Sequence, residues 1–254
     1  MKKILLAGVA VAALAVAAPA NAADLRMPVK AAPIAAPAPY FSWTGCYVGV
    51  HVGYGWGHKD FTNGRSSSGD STRSLDGNVD TSGGLFGGQV GCNYQLATNN
   101  LVIGIEGSFA GANIDGHGLS FSDFEGLYAK TDFLGSITGR LGWNGWDPRV
   151  LFYVRGGWAF AHDTYTAFNT SSVAKQDRDG WVFGVGVEWA FAPSWSAFAE
   201  YDHYDFGTKN ATFLEAVGGS TPYFADVNQV IDTVKVGVNY RFNLGFIGKS
   251  PGRY

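Results

Sequence analysis

From Trp43 onward, apolar and polar residues alternate with a period of two, and eight segments carry the pattern: 43–57, 84–96, 101–112, 133–143, 150–161, 180–192, 195–206 and 232–242. In the first, Val48, Val50, Val52, Tyr54 and Trp56 share one face, and Gly45, Gly49, His51, Gly53 and Gly55 share the other. The sixth sets Trp181, Phe183, Val185, Val187, Trp189 and Phe191 against Gly184, Gly186 and Glu188. The last sets Val234, Val236, Val238, Tyr240 and Phe242 against Lys235, Gly237, Asn239 and Arg241. Alternation sustained over such lengths predicts β-strands. The segments run about 11 to 15 residues, longer than the roughly 5–6 of an average strand in a soluble domain. They also exceed the roughly 9–11 residues that a tilted strand needs to cross a bilayer.

The connections sharpen this reading. Stretches expected to be long, mobile loops (58–83, 113–132, 163–179 and 207–231) alternate with short turns at 97–100, 144–149 and 193–194. Short turns at one end and long loops at the other are the plan of an outer-membrane barrel. Aromatic residues gather towards the strand ends. Trp43, Tyr94, Trp143, Phe191, Trp195, Tyr240 and Phe242 are expected in one girdle, and Tyr54, Trp56, Trp158, Phe160, Trp181 and Phe183 in the other. Rings anchored at headgroup level account for both. The expected fold is an all-β, eight-stranded antiparallel transmembrane barrel. Its even strand number places both termini in the periplasm.

The N-terminus supplies the route. Lys2 and Lys3 precede an apolar run from Ile4 to Ala18, and Pro19-Ala20-Asn21-Ala22 follows with small residues at the positions a signal peptidase reads. Residues 1–22 are therefore expected to be a cleaved signal peptide. The run is too short for a spanning helix. Residues 23–42, rich in Ala and Pro, read as a periplasmic linker. The barrel is expected over 43–242, followed by a periplasmic tail at 243–254.

Composition changes the picture only slightly. The 36 glycines have no collagen period, and 15% aromatic content speaks against a disordered glycine-rich chain. Net charge is −3, and loss of Lys2 and Lys3 makes the mature chain about −5. No basic nucleic-acid-binding face follows.

Three constellations are candidates for chemistry. On the inward face Glu106, Glu188, Glu200 and Asp202 stand against Arg140, Arg155, Lys235 and Arg241. The interior of an eight-stranded barrel is just wide enough for side chains. A paired network filling the lumen is therefore preferred to a charged lining for ions. Cys46 and Cys92 fall on the outward face of adjacent strands, and a bridge or two free thiols are both open. His58, His117, His162 and His203 map to the outer ends. A metal- or haem-capturing mouth is one reading and ordinary surface histidines the other, which the lack of ligand spacing favours. No catalytic motif or cofactor site is apparent.

Trp43-Thr44-Gly45-Cys46-Tyr47-Val48-Gly49, Gly84-Leu85-Phe86-Gly87-Gly88-Gln89-Val90-Gly91 and Val236-Gly237-Val238-Asn239-Tyr240-Arg241-Phe242 resemble the small outer-membrane β-barrel proteins of alphaproteobacteria. That family comprises the rhizobial and brucella-type surface antigens and includes hemin-binding members. The resemblance covers 41–242 and implies a structural, surface-exposed, non-enzymatic role, with weak pore activity claimed for relatives. The alternatives are a small porin and a haem- or host-surface-binding protein. Expected partners are outer-membrane lipid and lipopolysaccharide, with the barrel-assembly machinery and periplasmic chaperones during biogenesis. Relatives usually end at the aromatic residue that closes the last strand. Here 243–254 follow Phe242, which is expected to end the barrel.

Overall fold

The computed structural model describes residues 41–66, 77–96, 100–120, 126–167, 172–213 and 223–242. The expected signal peptide, most of the linker and the tail after Phe242 lie outside these residues.

Eight strands form a closed antiparallel barrel in sequence order: β1 (Gly45–Ser66), β2 (Gly77–Gln95), β3 (Leu101–Ser120), β4 (Gly126–Trp143), β5 (Val150–Ala167), β6 (Ser172–Ala192), β7 (Trp195–Phe213) and β8 (Tyr223–Phe242). β1 closes on β8, with Cys46 opposite Phe242. Closure pairs the first and last strands and removes the edges that an open sheet would present.

Alternation sets the two faces. Along β1 the outward residues from Val48 to Trp56 are exposed apolar side chains, while His51 is buried inside. The same holds around the wall, from Phe86 and Val90 on β2 to Val234, Val236, Val238 and Tyr240 on β8. A soluble protein does not leave such a continuous apolar band in water, whereas a bilayer covers it.

Every strand is longer than the alternation indicates, and the excess lies mainly at the end away from the short turns. Much of what reads as loop is strand: β1 runs on to Ser66 and β2 begins at Gly77. The cause is a change of surroundings. Beyond Trp56 the outward positions are His58, Asp60 and Thr62, while inward Lys59 and Phe61 remain buried. Outside lipid the outer wall no longer has to be apolar, so alternation fades while the strand continues. We call this the extended end and the opposite one the turn end.

At the turn end Trp43 departs from its expected place in the girdle of aromatic residues on the outward face there. It is fully buried. Gly45 adopts φ 143°, a conformation that side chains rarely tolerate, and the chain before it packs into the barrel mouth. Phe41 meets Trp43 edge-on at 5.1 Å between ring centroids. Phe41 and Ser42 thus belong to the barrel's packing rather than to a free linker.

Candidate functional site: the barrel interior

The interior is filled in layers. At the turn end Trp43, Val102, Leu151, Tyr153 and Ala190 form a buried apolar cluster with Phe41 against it. Trp43 Nε1 donates to the Pro148 carbonyl at 2.9 Å, tying the segment before β1 to the turn before β5.

Above this lies the charged layer. Its residues come from alternate positions on β3 to β8, which is why period-two reasoning could find them. Arg155 Nη1 donates to Glu106 Oε1 at 2.8 Å and Glu200 Oε1 at 2.7 Å. Arg140 Nη2 donates to Glu188 Oε2 at 2.6 Å, and its Nη1 donates to the Tyr47 hydroxyl at 3.0 Å. Lys235 Nζ lies 2.5 Å from Asp202 Oδ2 and 2.9 Å from Glu200 Oε1. All seven charged side chains are buried. Isolated charges in such a place would each cost several kcal/mol, at least about 3 for a broken pair.

Arg241 stands apart from this network. It has no carboxylate within salt-bridge distance among the described residues. Its Nη1 donates to the Ser42 carbonyl at 3.1 Å, and its guanidinium lies over the rings of Phe41 and Trp43 at 4.7 and 4.5 Å. The expected four-to-four balance is therefore four acids to three bases, because Arg241 turns to the mouth where the inward-folded aromatics offer π faces.

Neutral groups complete the layer, and charge counting did not single them out. Tyr47 donates to Glu106 Oε2 at 2.5 Å, Tyr153 to Glu200 Oε2 at 2.9 Å and Ser196 to Glu188 Oε1 at 2.5 Å. Gln89 Nε2 donates to Asn239 Oδ1 at 2.7 Å. Its Oε1 is then left to accept from His51 Nδ1 at 2.6 Å, which assigns the proton on that ring nitrogen. The inward glycines make room for these long side chains: a Cβ on Gly186 would stand 2.4 Å from the Tyr153 ring.

Next comes an apolar layer of Ile114, Leu134, Ala159, Ala161, Val182, Tyr204, Phe206 and Ile231. Beyond it, in the extended end, is a second charged cluster that the sequence reading missed. Asp163 Oδ1 accepts from Lys59 Nζ at 3.0 Å and Thr131 Oγ1 at 2.5 Å. Its Oδ2 lies 3.2 Å from Arg178 Nε and accepts from the Tyr165 hydroxyl at 3.1 Å. Lys59, Asp163 and Arg178 are all buried. Their signal was the inward parity carried past the membrane belt, into stretches read as loops.

Cys46 and Cys92 are direct cross-strand partners with Cα atoms 3.9 Å apart, and their sulfurs are bonded at 2.07 Å.

The four outer histidines are not gathered at a mouth. His58, His117, His162 and His203 lie on the outward faces of β1, β3, β5 and β7 respectively. His58 Nδ1 bonds Asp80 at 2.5 Å, His162 Nδ1 bonds Asp177 at 2.6 Å and His203 Nδ1 bonds Asp232 at 2.8 Å. Each of these aspartates is the histidine's direct cross-strand partner. His117 packs against the Tyr128 ring at 5.0 Å. Among the described residues no group of three His, Cys, Asp or Glu is arranged to hold a metal ion. The less favoured reading, a ligand cluster, finds no support in this arrangement, because the four side chains stand on four different strands. His58 Nε2 also bonds Asp60 at 3.0 Å. The hydrogen bond to Asp80, above the membrane belt, raises the His58 pKa above its ordinary value.

The closed, lipid-faced barrel with a polar interior defines an outer-membrane β-barrel protein. The chain belongs to the family described as outer membrane protein beta-barrel domain, which matches residues 8–242. It is 34% identical over 254 residues to the 31 kDa outer-membrane immunogenic protein of Brucella melitensis, covering 95% of this chain and the whole of that relative. It is 28% identical over 238 residues to the 25 kDa outer-membrane immunogenic protein of Brucella abortus, covering 92% and 96%. Among solved structures it is similar to outer membrane protein OprG from Pseudomonas aeruginosa. That match has a TM-score of 0.57 at 13% identity and covers 80% of this chain and 99% of that one. At that identity the likeness bears on the fold alone. The relatives support placement among the alphaproteobacterial surface antigens, in the outer membrane and in contact with its lipid and lipopolysaccharide.

Proposed function

We propose that this protein is a non-enzymatic structural barrel, closed to solutes, that contributes to envelope integrity and presents its extended end to the outside. The observation that carries the reading is the stack of buried interior layers, in which two charged networks are separated by an apolar one. A solute path would have to break ion pairs at both charged levels and cross the apolar layer between them. Opening a buried pair by removing one partner costs about 3–5 kcal/mol, so spontaneous opening at two levels is rare.

Orientation follows the general plan of outer-membrane barrels, with short turns in the periplasm. The N-terminal segment 1–22 serves as a cleaved export signal. The barrel-assembly machinery and periplasmic chaperones act during insertion, with Phe242 at the end of the last strand. Removal of 243–254 is expected to leave insertion intact, and its loss would contradict that role for Phe242.

Liposome swelling tests the closed barrel. Proteoliposomes should swell in arabinose or glycine no faster than protein-free vesicles. Swelling that scales with the amount of folded protein would replace this reading with a diffusion porin.

A further inference from the structure

At seven of the eight seams the backbone ladder runs out to the far end of at least one of its two strands. β4 and β5 pair to Leu127 and Ala167, β5 and β6 to Ala167 and Ser172, and β7 and β8 to Phe213 and Tyr223. The seam between β6 and β7 is different: its last pair is Trp181 with Asp205. Both strands nevertheless continue, β6 back to Ser172 and β7 on to Phe213. Residues 172–180 and 206–213 therefore each have a ladder neighbour on one side only.

The local sequence builds this opening. Gly207 sits at φ 59°, and its N–H donates to Asp205 Oδ1 at 2.8 Å. The register of β7 against β8 shifts between Asp205 and Thr208. A Cβ on Gly207 would meet nothing within 4 Å, so the glycine serves the conformation and not the space. The turn diverts β7 from β6 just beyond their last pair. Gly180 still lies against the backbone of Asp205 and Phe206. Beyond it side chains cross the seam: Gln176 Nε2 donates to the Asn210 carbonyl at 3.0 Å, and Lys209 pairs with Asp179.

The two edges differ. The β7 edge carries the bulge and Lys209, devices that discourage pairing. The β6 edge is regular: its ladder with β5 runs from Val150↔Trp189 to Ala167↔Ser172 with no register shift. An open regular edge presents unpaired N–H and C=O groups and is a template for another strand.

We propose that the β6 edge, Ser172–Asp179, is a strand-addition site that takes an extended segment of another protein in antiparallel pairing. Charge specifies the guest. Asp179 and Lys175 lie on the same, outward face of β6. Asp177 between them is already held by His162. A guest strand that displaces Lys209 should place a basic residue opposite Asp179 and an acidic residue four positions later, opposite Lys175. Opposite charges directly across a strand pair attract.

The test uses the folded full chain in detergent micelles, where both ends are accessible and the orientation of the barrel does not enter. The probe is a synthetic nine-residue peptide of alternating Thr and Val, with Lys and Glu four positions apart. Amide hydrogen exchange should slow about tenfold or more within 172–179 and stay unchanged along β2. The same peptide N-methylated on one backbone edge should bind about tenfold more weakly, and exchanging its Lys and Glu should weaken binding about threefold. No protection at about 1 mM peptide overturns the proposal. Equal binding of the N-methylated peptide also overturns it, because attraction would then be through side chains only. Concentration-dependent protection of 172–179 without peptide would assign the edge to a second copy of this chain instead.

Discussion

Trp43 Nε1 donates to the carbonyl of Pro148 at 2.9 Å, so the residues entering the first strand are fastened to the turn that precedes the fifth. Trp43 is fully buried, and its loss removes both a hydrogen bond and a large apolar volume. Trp43→Ala should lower unfolding stability by about 3–5 kcal/mol, with Trp43→Phe closer to wild type. Urea unfolding in lipid vesicles measures both. An effect under about 0.5 kcal/mol for the alanine variant would return Trp43 to an exposed position.

Arg155 holds Glu106 and Glu200 together through one nitrogen. Arg155→Met leaves four buried acids of this layer against two bases, Arg140 and Lys235, and should cost about 3–5 kcal/mol. Adding Glu106→Gln and Glu200→Gln should recover part of that loss, since the excess of buried acids is then gone. The same unfolding measurement decides it. A triple variant no more stable than Arg155→Met would mean that shape, not charge, sets the cost.

Cys46 and Cys92 close a loop with a sequence separation of 46. Chain entropy assigns such a link about 4 kcal/mol as an upper value. Non-reducing peptide mapping of protein extracted from the outer membrane should recover the two cysteines in one linked species. Replacing both with Ser should lower stability without altering heat-modifiable gel mobility. Free thiols in the native protein would contradict the bridge.

His58 is bonded by Asp80 from the neighbouring strand. Its pKa is raised in the folded protein. The stability it contributes is therefore fully present below the unfolded-state value, about 6.5, and is lost as pH rises through the folded value. NMR titration of the ring should place its midpoint above 6.5, and Asp80→Asn should bring the midpoint down. Coincident titration of the two proteins would deny the pairing.

The sequence made the barrel legible because lipid forces every outward residue between Val48 and Trp56 to be apolar while the interior stays polar. The lower charge layer was legible for the same reason, through parity at Glu106, Arg140, Arg155, Glu188, Glu200, Asp202 and Lys235. Arg241 carries the same parity yet lies elsewhere, because Gly45 turns Phe41 and Trp43 into the mouth beneath it. Parity along one strand does not encode that bend. The second network around Asp163 was hidden by polar outward neighbours such as Asp177 and Asp179, which erase the contrast between faces outside the membrane. The histidines carried two readings in the sequence, with ordinary surface residues favoured, because nearness to an end of the barrel does not say which strands bring them together.

Single-channel recording in planar bilayers tests the closed interior most directly. Purified, folded protein is predicted to give no steady ohmic conductance in molar KCl, with brief spikes at most. A long-lived open level that scales with voltage, seen in every successful insertion, would contradict the account.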